Sequence, residues 1–132
     1  MKPPQFSRLL VPLLIVPVLA GLAACSDDSG SSSDPSSTID VTATDDACQL
    51  SDTELTAGNT TFSVTNDGSS VTEFYVYSSG DKIEGEVEDI GPGLQRDLTV
   101  DLTAGTYEAA CKPGMTGDGI RETIHVNGSD AS

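Results

Sequence analysis

Tryptophan is absent from the 132-residue chain, histidine occurs once, and cysteine only three times. That supply cannot build a His-based zinc finger, a tri-histidine catalytic zinc or a blue-copper centre, which takes two His and a Cys. Cations are almost as scarce: 6 Lys and Arg stand against 21 Asp and Glu, for a formal net charge of −15. Nucleic acid and anionic membrane surfaces would repel such a chain, so neither is expected as a direct electrostatic partner. Cations and basic protein surfaces are the favoured company. Catalytic apparatus is missing as well. There is no Ser-His-Asp set with members to spare, no Gly-rich phosphate loop after a strand and no second His for proton relay, so no enzyme is expected. Paired carboxylates are plentiful by composition alone and do not by themselves indicate a hydrolase.

The one long apolar run lies at the N-terminus. Lys2 and Arg8 precede Leu9 to Ala20, and Leu22-Ala23-Ala24-Cys25 follows. This is the pattern of a secretory signal peptide over residues 1–24. Leu-Ala-Ala-Cys resembles the bacterial lipobox, which implies cleavage before Cys25 and a diacylglyceryl group on its sulfur. A transmembrane anchor would need about 20 apolar residues, and Pro12 and Pro17 interrupt this run. Lys2 and Arg8 leave with the leader while all 21 acids remain, which takes the mature charge from −15 to −17. The expected location is extracytoplasmic, at the bacterial cell membrane, where disulfides persist.

Residues 25–38 comprise the lipidated Cys25 and a tether rich in Ser and Asp, without the apolar surface that ordering requires. Residues 39–128 form one small domain, and 129–132 a tail. Period-two alternation marks strands at 39–44, 55–57, 60–66, 73–77, 82–87, 94–102, 106–111 and 122–126. Gly, Asn, Asp and Pro punctuate them, as at Asn66-Asp67-Gly68, Gly91-Pro92-Gly93 and Asn127-Gly128. Short strands at this spacing predict a two-sheet antiparallel sandwich. Its core would draw on Phe62, Phe74, Tyr75, Tyr77 and Tyr107, thin enough to gain from a covalent staple.

Asp46-Ala47-Cys48, the Glu73-Phe74 step, Glu86-Val87-Glu88-Asp89-Ile90-Gly91-Pro92-Gly93 and Gly105-Thr106-Tyr107 leading to Cys111 resemble a cupredoxin domain. More narrowly, they resemble the cupredoxin-like domain of EfeO-type bacterial iron-uptake proteins. The resemblance implies an all-β, Greek-key sandwich of seven to eight strands that handles iron or copper beside an iron permease, a haem peroxidase and a helical metal-binding domain. The sequence departs from electron-transfer cupredoxins, which place His just before the Glu-Phe step and again after the Cys. Thr72 and the stretch Lys112-Pro113-Gly114-Met115 stand there instead.

In such a sandwich Cys48 and Cys111 would lie at one pole, with two outcomes open. They can form a disulfide closing a 64-residue loop, worth about 4 kcal/mol on the chain-entropy model. Alternatively they ligate a metal with Met115 and Glu73, a soft set suited to copper(I). Glu84, Glu86 and Glu88 alternate along one strand, with Ile83 and Val87 expected on the opposite face. Neighbouring carboxylates there lie roughly 7 Å apart, too far to chelate one ion together. They are either a solvated face or, with Asp89 and a bend at residues 89–93, a hard-oxygen iron site. His125 is expected on the surface, opposite Ile124 and Val126.

Overall fold

The computed structural model describes residues 36–129. The proposed leader, Cys25 and nearly all of the tether lie outside the described residues, as does the tail from residue 130 onward. Nine strands run in order: β1 Ser37–Ala43, β2 Cys48–Leu50, β3 Glu54–Thr56, β4 Gly58–Asn66, β5 Thr72–Ser78, β6 Lys82–Ile90, β7 Gln95–Leu102, β8 Gly105–Pro113 and β9 Ile120–Asn127. A single turn of 3-10 helix, Ser79–Asp81, links β5 to β6. Among the described residues no helix is long and apolar enough to cross a membrane.

Two sheets stack as a sandwich, with orders β2-β1-β4-β7 and β3-β9-β8-β5-β6. Eight strands fall where alternation places them, within a few residues. The ninth, β2, has three residues and is too short for a periodic signal. The sheets are mixed rather than wholly antiparallel, because β1 pairs with β4 and β3 with β9 in parallel. Parallel pairing needs a crossover, and the segment through β2 and β3 supplies it by passing from the first sheet to the second.

The inward faces follow the pattern. Ile39, Val41 and Ala43 of β1, Phe62 and Val64 of β4, Phe74 and Val76 of β5, and Ile124 and Val126 of β9 fill one core. Phe62 and Phe74 meet across it, ring centroids 5.4 Å apart. Each large side chain buried this way contributes roughly 1.5–3 kcal/mol. Tyr75 and Tyr77 are the exception to the expected core. They lie on the outward face of the second sheet and form a separate layer with Ala110.

Strand β6 departs from strict alternation. Register shifts fall between Thr72 and Phe74 and between Val76 and Tyr77, so Val87 faces Phe74 and Gly85 faces Val76, but Ile83 pairs with Tyr77. The second shift is a β-bulge, which spends one residue and reverses the parity beyond it. Ile83 therefore lies exposed rather than inward. Leu94, expected at the start of β7, sits exposed in the preceding turn. Gly85 marks a close approach of β6 to β7: a Cβ there would lie 2.7 Å from Val100 Cγ2.

The register also fixes the two ends of the sandwich. Ala43 pairs with Asn66, Thr72 with Ile90, and Cys111 with Ile120, so residues 44–47, 67–71, 91–94 and 114–119 gather at one pole. Ser37 pairs with Thr60 and Gly105 with Val126, so both described ends leave from the other. Asn66 fastens the first pole. Its Nδ2 donates to the carbonyls of Ser70 at 2.8 Å and Ile90 at 2.7 Å, and its Oδ1 accepts from Gly68 N at 2.9 Å.

Candidate functional site

At the fastened pole Cys48 and Cys111 form a disulfide, with Cα atoms 5.5 Å apart. Cys48 belongs to the first sheet and Cys111 to the second, so the bond joins the two layers through their core. Of the two outcomes open in the sequence, the structure has the disulfide. Both sulfurs are thereby withdrawn from thiolate ligation.

The remaining expected ligands do not gather around it. Phe74 is opposite Cys111, and Glu73 is opposite Lys112. Successive residues of a strand face opposite sides, so Cys111 points into the sandwich while Glu73 sits with the outward layer. Glu86 is the partner of Tyr75 on the sheet edge and is exposed. Glu88 reaches the Tyr75 hydroxyl, which donates to its Oε1 at 3.1 Å. Asp89 stands at the first register shift, opposite the Thr72–Phe74 step, with a φ of 56°, and is exposed. Glu84 is engaged elsewhere, accepting from Ser78 Oγ at 2.6 Å and Lys82 Nζ at 3.1 Å. Those bonds hold its carboxyl below the usual range. Met115 is exposed on the 114–119 turn. Among the described residues no group of three or more His, Cys, Asp or Glu side chains could hold a metal ion. His125 is exposed on β9, as its parity predicts.

The pole is rigidly tied. Gly114 N donates to Val71 O at 2.8 Å, Asn66 N to Leu94 O at 2.9 Å, and Gly93 N to Asn66 O at 2.8 Å. The Asp45 carboxylate accepts from Ser69 N at 2.9 Å and from Ser69 Oγ at 2.7 Å. The Ser69 amide, and then its hydroxyl, keep that carboxyl below the ordinary carboxylate range.

The outward layer was not anticipated, although the parity of Glu73, Tyr75 and Tyr77 against Phe74 and Val76 was its visible signal. The rings of Tyr75 and Tyr77 stack 5.5 Å apart at an interplanar angle of 3°. Lys112 Nζ sits 4.1 Å above the Tyr75 ring, and the Arg121 guanidinium 4.6 Å from that of Tyr77. Arg121 also bridges Asp81 at 2.8 Å and Glu108 at 2.6 Å. Burial, reinforced by the carboxylates of Glu88 and Glu73, pushes the Tyr75 phenol well above its usual range.

The chain belongs to the cupredoxin-like domain family, whose pattern matches residues 13–125. Among solved structures it is similar to dithionite-reduced auracyanin from the photosynthetic bacterium Roseiflexus castenholzii, at 16% identity and a TM-score of 0.55 over 69% of this chain and 97% of that one. Auracyanin A, a blue copper protein from Chloroflexus aurantiacus, matches at 16% identity and 0.51 over 70% and 99%. An azurin from Methylomonas sp. strain J matches at 12% and 0.52 over 69% and 98%. No curated protein sequence matches. At these identities the likeness establishes the fold. The copper that this fold implies does not fit the residues in the disulfide form. Thr72, buried, stands where electron-transfer cupredoxins carry His, both sulfurs are bonded to each other, and Glu73 is on the other side of the sheet.

Proposed function

We propose that this protein is an exported, lipid-anchored cupredoxin-fold module of EfeO-type metal acquisition, and that in its oxidised form it acts by docking rather than by holding metal. The observation that supports this reading is the pole. The disulfide closes it, and of the four exposed large hydrophobics among the described residues three, Val71, Leu94 and Met115, stand on three different loops around that closure. Asp45, Asp46, Asp67, Asp89 and Asp118 are exposed on the same loops or at their edges. An apolar centre with an anionic rim selects a partner protein bearing an apolar spot ringed by Lys and Arg. The iron permease, haem peroxidase and separate helical metal-binding protein implied by the resemblance are the candidate partners. The first described strand begins at the opposite pole.

A second reading is favoured by the proximity of Cys48 and Cys111 to the Met115 turn. After reduction these three sulfur groups are a soft donor set for copper(I). One experiment separates the two. Free thiols are counted on the mature protein, and copper and iron, each in both redox states, are titrated before and after reduction. No thiols and no metal uptake in either form support the docking module. Stoichiometric uptake of either metal transfers the function to the second reading, and uptake weakened by Cys111→Ser places it at the pole.

A further inference from the structure

Few side chains in this domain can give up an electron. There is no Trp, Cys48 and Cys111 are spent in the disulfide, and the phenols number three. A phenol releases an electron readily only when its proton has somewhere to go, because the cationic radical is a far stronger acid than the phenol itself. Tyr107 donates to the Thr103 carbonyl at 2.8 Å, an oxygen too weakly basic to take the proton. Tyr75 donates to the Glu88 carboxylate at 3.1 Å, a base in position.

We infer that Tyr75 is a redox-active residue, a one-electron donor whose proton passes to Glu88 as the electron leaves. In the forward step a metal-centred one-electron oxidant, stronger than the tyrosyl–tyrosine couple, takes an electron from the ring. The phenolic O–H bond breaks, its proton goes to Glu88 Oε1, and the products are a neutral phenoxyl radical, a carboxylic acid and the reduced oxidant. A one-electron reductant fills the radical and the proton returns from Glu88 to the oxygen. No net change occurs in the protein, so the site passes an electron between two external partners.

The surroundings are consistent with that step and oppose its alternatives. Lys112 Nζ, 4.1 Å above the Tyr75 ring, disfavours a radical that keeps its positive charge, so the electron leaves together with the proton. Arg121 disfavours an uncompensated charge on Tyr77 in the same way. Tyr75 is only 7% exposed, which keeps the radical from solvent and bulky quenchers. Its ring lies parallel to that of Tyr77, which extends the π system toward the Ser79–Asp81 turn. Glu73 adds a second carboxylate beside the hydroxyl, and Glu86 lies across the strand pair. The inference rests on the outward layer alone and is independent of whether the pole holds a metal or a partner.

The test is flash photolysis of the full chain with ruthenium(III) tris(bipyridine), generated in place by a ruthenium(III) hexaammine quencher. Tyrosyl radical formation is followed by transient absorption and by electron paramagnetic resonance. The unmodified protein and Tyr107→Phe should form the radical at the same rate. Tyr75→Phe and Glu88→Gln should each slow it at least about ten-fold, a threshold set below the roughly 10²–10⁴-fold that a positioned proton acceptor contributes. Far-ultraviolet circular dichroism verifies the fold of each variant. An undiminished rate in either Tyr75→Phe or Glu88→Gln overturns the assignment, as does a comparable loss in Tyr107→Phe.

Discussion

Opening the Cys48–Cys111 bond is the perturbation whose size follows most directly from the structure. The two residues are 63 apart in sequence, so the bond closes a loop of 64 residues in the unfolded chain. Chain entropy assigns such a closure about 14 cal/mol/K, or about 4 kcal/mol near room temperature. Domains of this size have a total stability of about 5–15 kcal/mol, so about a quarter or more of it depends on one covalent bond. For a domain of 60–100 residues, each kcal/mol moves the melting temperature by about 4–8 °C. Reduction with a phosphine, which leaves both thiols in the core, should therefore lower the Tm by about 20 °C. A Cys48→Ala, Cys111→Ala variant should fall somewhat further, since it also removes two buried sulfurs. Calorimetric melts of the oxidised, reduced and variant proteins measure both effects. A reduced protein melting within a few degrees of the oxidised one would refute the reasoning, because the cross-link would then not constrain the unfolded chain as its loop length requires.

Two further outcomes follow from the pole. Asn66→Ala removes the amide that links the Ser70 and Ile90 carbonyls; at about 1–3 kcal/mol for the buried Ile90 carbonyl and about 1 kcal/mol for the part-buried Ser70 bond, the loss should be about 2–4 kcal/mol in urea titration. A cost below about 1 kcal/mol would mean that water replaces the amide. Asp45, whose carboxyl is held below its ordinary value by Ser69, contributes stability that is present above the unfolded-chain value and lost as pH falls through the folded one. The stability curves of the unmodified protein and Asp45→Ala should thus differ at neutral pH and converge in acid. A gap that persists undiminished in acid would trace the effect to packing rather than to the charge.

Much of the architecture was legible because alternation is a local property. Ile39-Asp40-Val41, Val100-Asp101-Leu102 and Ile124-His125-Val126 each declare a buried and an exposed face without reference to any other strand. The candidate site was legible only in part. That Cys48 and Cys111 could meet followed from their places in the cupredoxin-like sandwich that the resemblance implies, and the exposed His125 followed from parity. The strand β2 escaped because three residues carry no period. Ile83 was misplaced because a bulge is an event between two strands, and the parity of one strand cannot reveal it.

The sequence by itself determined that this is a small, strongly acidic, all-β domain, with a leader and tether pattern before it and too few histidines for an ordinary copper centre. Those are properties of composition and of neighbouring residues. Tertiary structure alone decided that Cys48 and Cys111 are bonded, that Glu73 lies across the sheet from them, and that Tyr75, Tyr77, Lys112 and Arg121 form a layer outside the core. Each of these depends on the register between strands distant in the chain. That register is set by the packing of two faces at once, which no single stretch of sequence contains.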